Sequence, residues 1–189
     1  TDRLRDTVRG AVQWIEQQAV PVPQVDGAVL FPGTEGKKGS VQTCIYGGTA
    51  GVLIFLENAA AVLDDSKARA IADKTMKGLL AARRTDSHEH ATWSRGGAMG
   101  TTGLYTGDAG VGQAFLVRHQ LRGDKGSLAA ALDVGDALLA RAKADGDTLT
   151  FDKATDVIFG NAGTALFLLD LGLVAKQPRF VDAAKRAGH

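Results

Sequence analysis

An all-α fold built from repeated α/α hairpins is predicted by three features of this sequence. A Gly-x-Ala-Gly unit preceded by an aromatic residue occurs three times, beginning at Gly48, Gly107 and Gly160 after Tyr46, Tyr105 and Phe159. The intervals of 59 and 53 residues leave room for two helices and their connections, which is what a long internal period signifies. Each unit runs into an apolar stretch, while the segments between the stretches carry their apolar residues on a single stripe. A segment apolar on most faces marks an inner helix, and a striped one marks an outer helix with a wet side.

Taken in order, residues 3–19 place Leu4, Val8, Ala11, Val12, Ile15 and Ala19 at helical spacing, and Trp14 is expected to pack. Pro21 and Pro23 stop this helix, and residues 27–31 form a short strand before Pro32. The glycine-rich stretch 33–40 is not a phosphate loop, because Lys38 occupies the place of the second glycine. The first inner helix follows over residues 49–63, where Val52, Leu53, Ile54, Phe55, Leu56, Ala59 and Ala60 leave little polar surface. Glycine at each turn permits unusual φ or a close backbone approach. Asp64, Asp65 and Ser66 supply a turn and an N-cap for an outer helix over 66–84.

Residues 85–103 read as a long loop, and loops of that length in compact folds are often functional. After the second inner helix, residues 123–126 turn the chain and 127–144 form an outer helix that Gly135 weakens locally. Residues 145–147 break the pattern and 148–151 form a short strand. The third inner helix leads to an outer helix starting at Pro178, a residue suited to a first turn.

Composition bounds the function. With 44% hydrophobic and 23% charged residues the chain is an ordinary soluble globular sequence, sized for one sizeable core. A formal net charge of +1 gives no field for nucleic acid or anionic membrane, and no apolar run is long enough for a membrane span. The single cysteine, Cys44, excludes an internal disulfide and a thiolate zinc site of its own making. The start at Thr1 rather than methionine, and the end within a helical pattern, lead to the expectation that residues 1–189 are one hairpin-repeat domain forming the N-terminal half of a larger barrel.

The segments 40–56, 103–116 and 155–163 resemble the lanthionine synthetase C-like (LanC-like) family. The resemblance implies an α/α toroid of six helical hairpins, of which this chain has about three, and a cytoplasmic setting. In the family's cyclases an aspartate just before such a turn assists, as acid or base, the addition of a cysteine thiolate to a dehydrated serine or threonine. Asp156, in Asp-Val-Ile-x-Gly-x-Ala-Gly, matches that residue. The zinc site of two cysteines and a histidine, and the Ala-His-Gly turn, have no counterpart here, so zinc is expected only in the half that this chain lacks.

Asp156 and Asp108 also stand where a carboxylate is stabilised by a helix start alone. His88-Glu89-His90 lacks the spacing that puts two imidazoles on one helix face, leaving a solvated loop as the plain alternative to a ligand site. Trp93 and Arg95 suit a peptide or sugar ligand if their loop folds over the barrel mouth. Together with Tyr105 and Asp108, these four form the candidate substrate-binding set, and the amides of the three turns form a candidate anion site. Three readings follow: a thioether-forming cyclase scaffold acting on a peptide, a glycosidase-like α/α enzyme with paired carboxylates, or a non-catalytic module binding a peptide or protein. Half a toroid also needs cover for its flanks, from self-association or from a C-terminal half.

Overall fold

Each hairpin unit consists of an outer helix, a short antiparallel ribbon, a glycine turn and an inner helix. The structure, a computed structural model, describes residues 2–33, 40–86, 88–93 and 102–188. The outer helices are α1 (Asp2–Gln17), α3 (Ser66–Ala81), α5 (Lys125–Arg141) and α7 (Pro178–Ala187). The inner helices are α2 (Thr49–Leu63), α4 (Asp108–Arg122) and α6 (Asn161–Ala175). Three two-stranded ribbons precede the inner helices: β1 (Val20–Pro21) with β2 (Val29–Leu30), β3 (Arg84–Thr85) with β4 (Ala91–Thr92), and β5 (Lys143–Asp145) with β6 (Thr148–Thr150). The all-α reading therefore holds, with the ribbons as short connectors. The segment 85–103, read as a loop, is in part the second ribbon, pairing Arg84 with Thr92 and Thr85 with Ala91.

Helix ends follow local chemistry. The Asp65 carboxylate accepts from the amides of Lys67 and Ala68 at 2.9 and 3.0 Å and starts α3, a cap that contributes about 1 kcal/mol. Asp124 caps α5, accepting from Gly126 N, so the helix starts at Lys125, two residues earlier than the apolar stripe suggests. All three inner helices end on a left-handed residue, Asp64, Gly123 or Lys176. That turn sends the chain back antiparallel into the next outer helix.

Packing of α4 between α2 and α6 makes an arc of inner helices, with α3 against α2, α5 against α4 and α7 against α6 on the outside. Leu53, Leu56, Phe115, Leu116, Phe167, Leu168 and Leu171 fill the layer between inner and outer helices and are inaccessible to solvent. Burial follows position in the arc rather than hydrophobicity. The middle helix α4 carries Gln113, Arg118, His119 and Arg122 yet exposes only its last two residues before Arg122, whereas the more apolar α6 exposes Leu166, Leu169 and Leu173. The expectation of inner helices buried all round is thus met by α4 and not by the free flanks of α2 and α6. Trp14 is 62% exposed and Leu4 is exposed too, because α1 buries only Val12 and Ile15 against the arc.

Gly135, read as a weak point of α5, is a close-approach site: a Cβ there would come within 2.5 Å of the Leu171 side chain and 2.8 Å of the Phe180 ring. Gly48 and Gly160 serve the same purpose, since a Cβ there would come within 2.7 Å of the Gln42 backbone and 2.1 Å of Ala154 O. Gly48, Gly107 and Gly160 have ordinary extended backbone angles, so no left-handed φ is involved.

Candidate functional site

The three turns repeat one hydrogen-bond scheme. The amide of the alanine in each Gly-x-Ala-Gly unit donates to the carbonyl of a threonine seven residues earlier: Ala50 to Thr43, Ala109 to Thr102 and Ala162 to Thr155, at 3.1, 3.2 and 3.3 Å. The side chain of the first helical residue then reaches back to the segment entering the turn. Thr49 Oγ1 accepts from Phe31 N at 3.0 Å, Asp108 Oδ1 from Trp93 N at 2.8 Å, and Asn161 Oδ1 from Phe151 N at 2.7 Å. Phe31, Trp93 and Phe151 are buried aromatics in equivalent places. The threonines carry the same 59- and 53-residue spacing as the glycines, a signal that a search centred on glycine overlooks.

This scheme reassigns several candidates. Trp93 is 1% exposed, its indole Nε1 donating to Leu79 O at 2.8 Å and its ring edge-on to Phe115, so it is placed in the core rather than over a barrel mouth. Asp108 is wholly buried and does not cap its own helix; besides Trp93 N it accepts from Thr92 Oγ1 at 2.8 Å and from Arg141 Nη2 at 2.7 Å. Arg95 lies outside the described residues. His88 and His90 sit at the tip of the second ribbon, where Asp86 Oδ1 accepts from both of their amides at 2.8 and 2.9 Å. The bond from His90 N, with a lesser one from His88 N, holds the Asp86 carboxyl below its ordinary range against the opposing effect of desolvation. The candidate anion site is also revised, because turn amides are consumed internally: Thr49 N donates to Gln42 O, Asn161 N to Ala154 O and Gly163 N to Asp156 O.

What remains on the surface is a row formed where the turns stack side by side. Tyr46 N donates to Tyr105 O at 2.9 Å, and Tyr105 N and Thr106 N donate to Ile158 O at 3.1 and 3.3 Å. Their exposed side chains, Tyr46, Tyr105 and Ile158, stand along this relay. Asp156 ends it: its Oδ1 accepts from Ile158 N at 2.7 Å and Phe159 N at 2.9 Å. The carboxylate is exposed, and its second oxygen has no hydrogen-bond partner among the described residues. Of the sequence candidates, the structure brings Tyr105 and Asp156 together; Tyr46 is a member that the sequence reading missed.

A separate polar cluster lies toward the far ends of α2 and α4. Glu57, inaccessible to solvent, accepts from Arg118 and Arg122 at 2.5 Å each, and Asp73 accepts from both arginines at 2.7 Å. Arg118 also reaches Asp124 at 3.2 Å. Burial works to lower the Arg118 pKa, but the bond to Asp73 and the charge of Glu57 prevail and raise it. Asp124 is held below the ordinary carboxylate range chiefly by the Ser127 hydroxyl. The cluster is internally satisfied and joins four helices.

Metal binding fits none of these places. Among the described residues no three His, Cys, Asp or Glu side chains are grouped so as to hold an ion; Cys44 neighbours Gln42, and the rings of His88 and His90 are 6.2 Å apart. No described helix is long and apolar enough to cross a membrane.

An arc of α/α hairpins whose inner helices all start from stacked Gly-x-Ala-Gly turns defines a class of helical-repeat protein. Residues 39–188 match the family model described as lanthionine synthetase C-like protein, and the chain belongs to that family. No curated protein matches the chain.

Proposed function

We propose that the turn face is the peptide-binding side of a thioether-forming cyclase-type scaffold. An extended peptide lies along Tyr46, Tyr105 and Ile158, and Asp156 handles a proton at the end of that row. The observation that carries this reading is the carboxylate of Asp156, fixed through one oxygen by two backbone amides and exposed through the other. Such a group is oriented without being neutralised, which is what general acid–base work on a thiol requires. A thiolate ligand site for zinc, and the histidine chemistry of the family, would come from residues other than those described here, and the chain alone is expected to bind without cyclising. As one domain, residues 1–189 would be the part that holds the peptide.

The glycosidase-like alternative needs a second carboxylate across from Asp156. Asp108, the other acidic candidate, is buried against Arg141 and does not face the surface. A pure binding module would use the same row and dispense with Asp156.

The test is a titration of isotope-labelled chain with a dehydrated peptide bearing a free cysteine, alongside an oligosaccharide of similar length. Shifts centred on Tyr105 and Ile158 with the peptide, and about a tenfold loss of affinity in Tyr105→Ala (near 1.4 kcal/mol), are expected. Peptide shifts centred on the outer helices, or equal shifts with the sugar, would end this reading. Asp156→Asn separates the module from the cyclase scaffold: peptide affinity unchanged, but thioether formation lost once complementary hairpins are supplied.

A further inference from the structure

The two seams between neighbouring inner helices follow one backbone scheme at the turn end. Tyr46 N donates to Tyr105 O across the α2–α4 seam, and Tyr105 N to Ile158 O across the α4–α6 seam. Each turn also presses one side chain onto a glycine of the next inner helix: a Cβ at Gly110 would come within 3.1 Å of Ile45 Cγ1, and one at Gly163 within 2.9 Å of Leu104 Cβ. These contacts fit either seam equally, so they do not say which helix pair belongs beside which.

Toward the other end of the same helices the seams differ. Across α2–α4, the buried Glu57 accepts from Arg118 and Arg122, and Asp73 of α3 accepts from the same two arginines. Advancing each residue by the 59- or 53-residue period of its helix gives the corresponding places of the α4–α6 seam. Leu116 corresponds to Glu57, Leu132 to Asp73, Leu171 to Arg118 and Ala175 to Arg122. Leu116 and Leu171 are inaccessible to solvent, and Leu132 and Ala175 pack against the core. One seam is closed by charged side chains and its neighbour by apolar ones, on the same backbone pattern.

The helices pack as the pairs α2–α3, α4–α5 and α6–α7, and a mismatch of pairs is penalised in both directions. With α6–α7 set against α2–α3, Glu57 would be buried opposite Leu171 and Ala175 without its arginines. With α4–α5 set against α4–α5 of another copy, Arg118 and Arg122 would be buried opposite Leu116 and Leu132. A buried charge that loses its partner is strongly destabilising, whereas a complete buried pair adds little over an apolar contact of the same volume. Discrimination of that kind acts by excluding wrong partners. We infer that the cluster of Glu57, Asp73, Arg118 and Arg122 sets the order of the helix pairs, contributing specificity rather than net stability. It makes α4–α5 the neighbour of α2–α3 and keeps α6–α7, or a pair from a second copy, out of that place. Misassembly and exchange of units are the characteristic failures of repeat chains. The inference is independent of any catalytic reading.

The experiment copies the second seam into the first, with Glu57→Leu, Asp73→Leu, Arg118→Leu and Arg122→Ala made together in the full chain. Order is read as the distance between spin labels on α2 and α6, at the exposed Val62 and Leu173, after Cys44→Ser removes the native thiol. In the wild type α4 packs between those helices, and one long distance is expected. The variant is expected to keep the wild-type helix content by circular dichroism. It is also expected to show a second, shorter distance, or an association by sedimentation that the wild type lacks. A folded variant with the wild-type distance alone and the wild-type sedimentation overturns the inference. A variant that loses its helix content overturns it as well, because the cluster would then supply stability rather than order.

Discussion

Asp108 and Arg141 meet at 2.7 Å beneath the second turn, one wholly buried and the other nearly so, joining the first residue of an inner helix to the last residue of its outer partner. The carboxylate also holds Trp93 N and the Thr92 hydroxyl, so its removal takes the ion pair from Arg141, leaving that guanidinium its bond to Ala137 O, and takes an acceptor from a buried amide and a hydroxyl. Asp108→Ala is expected to destabilise the chain by about 3–5 kcal/mol, the usual result of breaking a buried pair from one side. Asp108→Asn keeps an oxygen for Trp93 N and costs less. Urea midpoints of the two variants check the order, and equal losses would show that the charge is irrelevant.

The Glu57 cluster makes a different demand, because two arginines share two carboxylates. Glu57→Ala and Arg118→Ala each cost about 3 kcal/mol or more. Their double variant costs clearly less than the sum, since residues in one network are not additive. A double-mutant cycle on urea unfolding gives the coupling directly; strict additivity would mean that Arg122 and Asp73 carry the cluster without Glu57.

Lys176 ends α6 at φ 54°, a conformation that its Cβ disfavours. Lys176→Gly is expected to add about 1 kcal/mol, raising Tm by about 2–4 °C for a chain of this size. The reverse change at the equivalent residue, Gly123→Ala at φ 69°, lowers it by a similar amount. Calorimetry that finds Tm unmoved by both would show that these caps fray in solution.

Acid should unfold this protein through identifiable groups. Asp124 and Asp86 are both held below the ordinary carboxylate range, Asp124 mainly by Ser127 and Asp86 mainly by His90 N. A depressed folded-state pKa adds stability above the unfolded value of about 3.9, and that stability is lost as pH falls through the folded value. The urea midpoint should be flat near neutrality and drop below about pH 4. In Asp124→Asn the neutral midpoint is lower and the acid drop shallower; an unchanged profile would assign the acid sensitivity elsewhere.

The hairpins were legible in the sequence because their signals are local and periodic: the turn glycines, the stripe of α3 from Ala68 to Leu79, and Pro178 opening α7. That the flanks of the first and third inner helices would be bare followed from the count of hairpins, but which leucines of α6 lie there did not, since that segment is apolar on most faces. Trp93 misled for a related reason. Its neighbours His88, Glu89, His90 and Arg95 are polar, and only the second ribbon, which pairs residues six and eight apart, turns the indole inward under Asp108. Asp156 and Tyr105 were legible as candidates, but their adjacency depends on Tyr105 N meeting Ile158 O across two repeats.

Thr49, Asp108 and Asn161 perform one task with three functional groups: an alcohol, a carboxylate and an amide each present an oxygen to the same backbone amide. What the fold specifies there is an acceptor atom at a point in space, and the residue type is free to vary around it. Substituting each position with the other two types would make the architecture's grammar measurable, since a seat read as an atom tolerates all three and a seat read as a residue tolerates one. The middle seat is the exception to try first, because only there does the side chain carry a second oxygen that answers to a cation, Arg141.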